Sequence, residues 1–112
     1  MQIIISGRQV DLAEDLREHM EERFSRLARF DEGVSRIEVT LKEEKNRCAV
    51  EANLSVRRRS AIHAGAEAQE FRTAVDRLYE KLSRQLKKSR SRGREHKGKN
   101  GDMVVATEET DT

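Results

Sequence analysis

The sequence predicts an α+β fold, a two-layer sandwich in which two helices pack on one face of a four-stranded mixed sheet. Two stretches carry apolar residues at three- and four-residue steps, which indicates amphipathic helices. Four others are β-branched or alternate apolar with polar residues, which indicates strands. The elements follow the order β-α-β-β-β-α, and two layers are the simplest arrangement that buries one apolar face of each.

The first strand and the first helix are predicted within residues 2–30. Three consecutive isoleucines in residues 2–6, closed by Gly7, indicate the strand. Asp11 stands at a helix N-cap position with Glu14 three residues later, which is the spacing of a capping box. A helix of about twenty residues is predicted from there. Its apolar side consists of Leu12, Leu16, Met20, Phe24, Leu27 and Phe30.

Three strands joined by short connections are predicted next. Residues 37–42 and 48–56 alternate apolar with polar side chains, and residues 62–66 do so more weakly. Polar residues 43–47 predict a hairpin connection and basic residues 57–60 a turn. Consecutive strands favour an antiparallel meander, whereas the helix between the first two favours a parallel pair with a right-handed crossover. The outer sheet face is predicted to show Glu38, Thr40, Lys42, Glu51, Asn53 and Ser55 to water.

The last helix combines a clear apolar face with a strongly basic tract. It is predicted to begin after Ala68. Its apolar face consists of Phe71, Val75, Leu78, Leu82 and Leu86. Residues 81–99 contain nine basic residues and one acid, Glu95. A helix that buries one side and carries this charge on the other is a candidate to follow a phosphate backbone.

Charge divides the chain into two segments. The 112 residues carry a net charge of +2, but residues 101–112 carry −4, so that residues 1–100 carry +6. We expect one α+β domain over residues 1–92, followed over residues 93–112 by a flexible tail or linker that is first basic and then acidic.

The residue patterns of enzymes and metal sites are not found in the sequence. His19, His63 and His96 are too scattered for a metal-ligand set, and the single Cys48 excludes an internal disulfide. There is no nucleophile–base motif, glycine-rich phosphate loop or pair of catalytic carboxylates. We therefore expect no catalytic residue, cofactor, metal or small-molecule substrate. With no signal peptide or apolar span in the sequence, we expect a cytoplasmic protein without a membrane partner.

The aromatic residues do not favour base stacking. Phe24, Phe30 and Phe71 fall on predicted core faces, and the predicted outer sheet face carries no aromatic pair. Contact of arginine and lysine with phosphates remains, and such contact positions a protein without reading sequence. We therefore predict that outward arginines of the first helix lie beside basic residues of the last helix. The two sets are Arg17, Arg23 and Arg26, and Lys81, Arg84 and Lys88.

Several segments occur together in one order along the chain. They are MQIIISG (1–7), LRE (16–18), LKEEK (41–45), IHA (62–64), AVDRL (74–78) and KLSRQLKK (81–88). Over residues 1–96 they resemble the ribosome hibernation promoting factor and ribosome-associated inhibitor family. The run Lys-Leu-x-Arg-Gln-Leu with its following lysines is the most specific of them.

The resemblance implies a fold similar to a double-stranded RNA-binding domain. It also implies a non-enzymatic protein that occupies the tRNA and mRNA decoding channel of the small ribosomal subunit and blocks translation in stress or stationary phase. The implied partners are ribosomal RNA and neighbouring ribosomal proteins. The implied RNA-contacting residues are Lys81, Arg84, Lys87 and Lys88 on the last helix, Arg17, Arg23 and Arg26 on the first, and Lys42 on the sheet.

Alternatives stay open at this point. The same composition would suit a charged protein-interaction module that docks an acidic partner, or a free double-stranded RNA binder. Two positions depart from the family pattern: Arg72 stands where several relatives have tyrosine, and residues 57–59 replace a hairpin that often contains glycine. The chain resembles either a short form or the N-terminal domain of a long form, whose second domain pairs two ribosomes, so ribosome dimers stay open as well.

Overall fold

The computed structural model describes the backbone of residues 1–95 and the side chains of residues 1–89. The sheet has the order β1-β2-β3-β4, with β1 parallel to β2 and the other pairs antiparallel. The elements are β1 (Gln2–Arg8), α1 (Glu14–Ser25), α2 (Leu27–Phe30), β2 (Val34–Glu44), β3 (Arg47–Val56), β4 (Ile62–Ala68) and α3 (Phe71–Glu95). The predicted fold class and element order are confirmed, with the first helical segment divided in two.

The first helix begins at Glu14, so the prediction of Asp11 as its N-cap is wrong. Ala13 occupies the N-cap position with an extended backbone (φ −67°, ψ 148°), and no side chain caps the helix. The reason lies in the turn after β1, where the chain folds back against Gly7. A Cβ atom at Gly7 would lie 2.7 Å from the carbonyl oxygen of Val10. Asp11 follows directly in this connection, two residues before the N-cap.

The single helix predicted for this region is interrupted at Arg26. The Arg26 N–H donates to the carbonyl of Arg23 at 3.1 Å, and the Arg29 N–H donates to the carbonyl of Arg26 at 3.0 Å. These three-residue steps belong to the tighter 3₁₀ geometry. After the interruption Leu27 is fully buried in the same core as Phe24. The apolar pattern therefore predicted the buried residues correctly but not the break between them.

The connection between β2 and β3 is shorter than predicted. Glu43 pairs with Cys48 and Glu44 with Arg47, so Lys45 and Asn46 alone form the turn. Both residues are left-handed, with φ of 47° and 64°. Two consecutive left-handed residues are typical of a type I′ hairpin turn, whose twist matches that of the strands. Strand pairing therefore continues through most of the predicted 43–47 connection.

The hydrophobic core lies between the helices and the inner face of the sheet. α3 packs mainly on β4 and β3, and α1 and α2 contact α3 from one side. Fully buried side chains include Met20, Phe24, Leu27, Ile37, Leu41, Leu54, Leu78 and Leu82. Burial of each such side chain stabilises the fold by about 1.5–3 kcal/mol. On the outer sheet face none of the six polar residues predicted to meet water is buried, as predicted.

Candidate nucleic-acid interface

Four cations of α3 form a row along one side of the helix. We call Arg77, Lys81, Arg84 and Lys88 the α3 basic row, since their three- and four-residue spacing places them on one face. Lys81 Nζ donates a 2.7 Å hydrogen bond to the carbonyl of Gly65, and Arg77 Nη1 donates one of 2.8 Å to the carbonyl of Glu67. Both acceptors belong to β4, an edge strand of the sheet. These bonds attach the row to the sheet and cover part of an edge that would otherwise present unpaired carbonyls.

The other half of the α3 basic row is free to bind. Arg84 and Lys88 are exposed, and neither has a hydrogen bond or ion pair within residues 1–89. An exposed cation without an internal partner can contact a phosphate with no bond to break first. The row therefore joins two anchored cations to two available ones on the same rigid helix.

An open groove of about 560 Å³ lies between the row and the end of the sheet at the β2–β3 turn. Its basic lining residues are Lys42, Arg47, Arg77, Lys81 and Arg84, and its acidic ones are Glu44, Glu51, Glu67 and Glu80. Lys42 Nζ lies 3.6 Å from a Glu44 carboxylate oxygen and 3.8 Å from one of Glu51. The structure thus brings Lys42 of the sheet together with Lys81 and Arg84. The charge of Lys42 is partly balanced by Glu44 and Glu51.

Each of the predicted α1 arginines already has a partner. Arg17 lies 4.0 Å from Glu21, Arg26 lies 2.5 Å from Glu22, and Arg23 lies 3.1 Å from Asp76. The hydrogen bond from Arg26 is the main cause that lowers the pKa of the Glu22 carboxyl. Solvent screens exposed pairs of this kind, so they contribute little to stability. Arg17 and Arg26 can therefore exchange their partners for phosphates at small cost.

The predicted juxtaposition of the two basic sets is wrong for Arg23 and Lys81. Arg23 lies against Asp76 and 5.9 Å from the ring centroid of Tyr79, whereas Lys81 reaches the opposite neighbour of α3, strand β4. Helical geometry explains the separation. At 3.6 residues per turn, Lys81 points about 140° away from Asp76 and about 160° away from Tyr79. Arg23 and Lys81 therefore lie on different sides of α3.

Asp76 is a residue that the sequence analysis did not single out. Its Oδ1 atom lies 2.8 Å from His19 Nε2 and 3.1 Å from Arg23 Nε, so that one carboxylate joins α3 to α1. The Arg23 Nε atom is buried, and its approach to Asp76 lacks the alignment of a hydrogen bond. The sequence signal that was available is the helical phase of Asp76, which points away from the α3 basic row. Spacing did not reveal its partners, since His19 lies 57 residues earlier in the chain.

Lys87 lies on a different side of α3 from its neighbour Lys88. Its Nζ is 4.9 Å from the ring centroid of Phe30, a cation–π contact with α2. Lys88 continues the α3 basic row instead. The basic residues predicted beyond Lys88 follow a helical backbone as far as Glu95, three residues past the expected domain boundary. Their side chains, and residues 96–112 with the proposed acidic tail, lie outside the described residues.

The single cysteine and the possible metal ligands show no arrangement for chemistry in the described part of the chain. Cys48 is buried, its Sγ donates to the Gln69 carbonyl at 3.5 Å, and burial followed by the nearby Glu43 and Glu70 raises the pKa of its thiol. Within residues 1–89 no group of three histidine, cysteine or acidic side chains is placed to hold a metal ion. No helix in the same part of the chain is long and apolar enough to cross a membrane.

Residues 3–94 match the model of a protein family described as Sigma 54 modulation protein / S30EA ribosomal protein. The chain belongs to this family. Curated relatives in it are named ribosome hibernation promoting factor. The protein from Klebsiella oxytoca is 35% identical over 96 residues, 86% of this chain and 100% of its own length. That from Azotobacter vinelandii is 37% identical over 92 residues, 82% of this chain and 85% of its own.

Two solved structures share the fold of this chain. A ribosomal subunit interface protein from Coxiella burnetii superposes with a TM-score of 0.73 at 32% identity, covering 81% of this chain and 99% of that one. The Thermus thermophilus Protein Y N-terminal domain superposes with a TM-score of 0.72 at 22% identity, covering 79% and 98%. Membership in the family confirms the resemblance found in the sequence. It also confirms the expectation of a non-enzymatic protein, since the relatives are named as factors that promote ribosome hibernation.

Proposed function

We propose that this protein is a ribosome hibernation factor that binds the small subunit in the tRNA and mRNA decoding channel. Contacts with phosphates of ribosomal RNA hold it there, and its presence blocks translation in stress or stationary phase. The observation that carries the proposal is the α3 basic row, in which Lys81 and Arg77 are bonded to β4 while Arg84 and Lys88 stay exposed. The names of the relatives support the ribosome as the partner.

The mechanism is occupation of space rather than chemistry. A rigid domain positioned by several phosphate contacts fills a channel that tRNA and mRNA would otherwise enter. Rigidity matters because a side chain that is already ordered loses less conformational entropy on binding. The hydrogen bonds of Lys81 and Arg77 provide it, since they hold the middle of α3 against the sheet.

The predicted RNA-contacting residues have different tasks in this proposal. Arg84 and Lys88 make direct phosphate contacts, whereas Lys81 keeps the row in place and adds charge to the groove that it shares with Lys42. Arg17 and Arg26 bind only after their acidic partners are displaced. Arg23 supports the α1–α3 packing through Asp76. Lys87 contributes charge from its position over Phe30.

The test compares two arginines of the same helix. Arg84→Ala and Arg72→Ala each remove one exposed arginine that has no partner in the described residues, at positions about 18 Å apart along the helix axis. We expect Arg84→Ala to weaken co-sedimentation with purified small subunits and to lower the salt dependence of binding by about 0.7–0.9 in log–log slope. Arg72→Ala should do neither.

Sucrose gradients of the full chain with ribosomes complete the test. Ribonuclease treatment before sedimentation should abolish the association, because the contacts are made to RNA. Association that survives ribonuclease, or equal binding by Arg84→Ala and the unmodified protein, would contradict the proposal and favour an acidic protein partner. The same gradients also report whether ribosome dimers form.

A further inference from the structure

The turn between β3 and β4 holds three consecutive arginines with different surroundings. Arg59 bonds the carboxylate of Asp31, a residue that is only 8% exposed. Arg57 and Arg58 are exposed, and neither side chain has a partner within residues 1–89. The fold therefore uses one arginine of this turn and leaves two charges facing the solvent side by side.

The backbone holds this turn in one conformation. The Arg57 N–H donates to the carbonyl of Gly33 at 2.8 Å, and the Arg59 N–H donates to the carbonyl of Val56 at 3.2 Å. Arg58 between them is left-handed, with φ of 63°. Glycine and asparagine adopt that conformation with less strain than arginine does. Turn geometry therefore does not explain an arginine at this position, and the fold gains nothing from its charge.

The turn lies at the same end of the molecule as the last described cations of α3. The short connection after α2 links them: Lys87 lies over Phe30, and the next residue, Asp31, binds Arg59. Neighbouring Cα atoms are about 3.8 Å apart, so the two basic elements contact adjacent residues where α2 ends. The β2–β3 turn with Lys45 lies at the opposite end of the sheet, because β3 runs between the two turns.

We propose that Arg57 and Arg58 form a second RNA-phosphate contact, which adds to the contacts of the α3 basic row from this end of the sheet. The proposal rests on the ribosome-binding function proposed above. Guanidinium groups match phosphate oxygens in a bidentate manner, and two of them on an anchored turn suit the closely spaced charges of a nucleic-acid backbone. The acidic side chain exposed in the adjoining loop is Glu32, which has no ion pair with the turn.

The experiment measures binding of the full chain to purified small subunits across a salt series. The variant Arg57→Gln/Arg58→Asn removes both charges and places asparagine where the backbone is left-handed. The matched pair is Arg58→Asn against Arg72→Asn, since both remove an exposed arginine that has no partner within residues 1–89, and Arg72 lies outside the α3 basic row. Circular dichroism checks that each variant keeps the fold.

The double variant should lose two phosphate contacts, which lowers the log–log salt slope by about 1.4–1.8. The advantage of the unmodified protein should therefore be about tenfold larger at 50 mM than at 200 mM salt. Arg58→Asn should show about half of this change in slope, and Arg72→Asn should match the unmodified protein.

Three outcomes would overturn the inference. If the double variant binds like the unmodified protein, the turn makes no contact while the proposed function stands. If the variant weakens binding with an unchanged salt slope, the turn contacts ribosomal protein rather than RNA. If the unmodified protein does not bind small subunits at all, the proposed function fails and the inference fails with it.

Discussion

Replacing Lys81 by methionine separates its hydrogen bond to β4 from its charge in the interface. Lys81 Nζ donates to the Gly65 carbonyl at 2.7 Å from a part-buried position. Methionine keeps the apolar stem of the side chain and removes the ammonium group. Arg84→Met is the control, because Arg84 is an exposed cation in the same row that has no bond within the described residues.

A hydrogen bond from a charged donor contributes about 1.5–3 kcal/mol to stability. The Gly65 carbonyl lies at a sheet edge, where water can replace part of the lost bond. We therefore expect Lys81→Met to lower the free energy of unfolding by about 1–2 kcal/mol, with a fall in Tm of roughly 4–16 °C. Arg84→Met should stay within about 0.5 kcal/mol of the unmodified protein.

Urea unfolding followed by circular dichroism measures the difference. Both variants should also bind small subunits more weakly, because each removes a cation of the α3 basic row. Equal free energies of unfolding for the two variants would refute the argument that the Lys81–Gly65 bond holds α3 on the sheet. Normal binding by Lys81→Met with reduced stability would assign Lys81 to the fold alone.

Two further results are expected from the structure. Asp31→Ala removes the partner of Arg59 and the acceptor of a 2.8 Å hydrogen bond from the Gly33 N–H. It should therefore lower the free energy of unfolding by about 1–3 kcal/mol in urea titrations. An unchanged urea midpoint would contradict this. Cys48 has a thiol pKa raised mainly by burial, so mass spectrometry at pH 8 should show slower alkylation in the folded protein than in urea. Equal alkylation rates in the two states would contradict the burial of this thiol. Because its pKa is raised in the folded protein, its contribution to stability is complete below the pKa of the unfolded state and is lost as the pH rises through the pKa of the folded state.

Much of the fold could be predicted because its signals are local. A strand exposes alternate residues and a helix repeats every 3.6, so Val39, Leu41 and Leu54 in strands and Leu78 and Leu82 in α3 could be assigned to the core without knowing their partners. The ends of elements were less accurate. Asp11 has the chemistry of a cap, but close packing at Gly7 places it in a turn. Glu43, Glu44 and Arg47 have the polarity of a connection, but strand pairing includes them.

Part of the candidate site could also be predicted, because helical phase is a local signal. Arg84 and Lys88 follow from helical phase, since a charged residue opposite the apolar face must be exposed. The spacing of Arg23 and Lys81 in sequence could not reveal that they face opposite sides of α3, because that depends on which neighbour packs on each side.

By itself the sequence determined the layers of this protein, the residues that fill its core and the concentration of positive charge on its last helix. Only the tertiary structure decided which cations are anchored and which are available. Lys81 binds β4, Arg59 binds Asp31 and Arg23 meets Asp76, whereas Arg57, Arg58, Arg84 and Lys88 keep their charges exposed. The physical reason is that buried residues recur every two residues in a strand and every three or four in a helix, which the sequence shows directly. The partner of each anchored cation comes from another element of the fold, which only folding brings close.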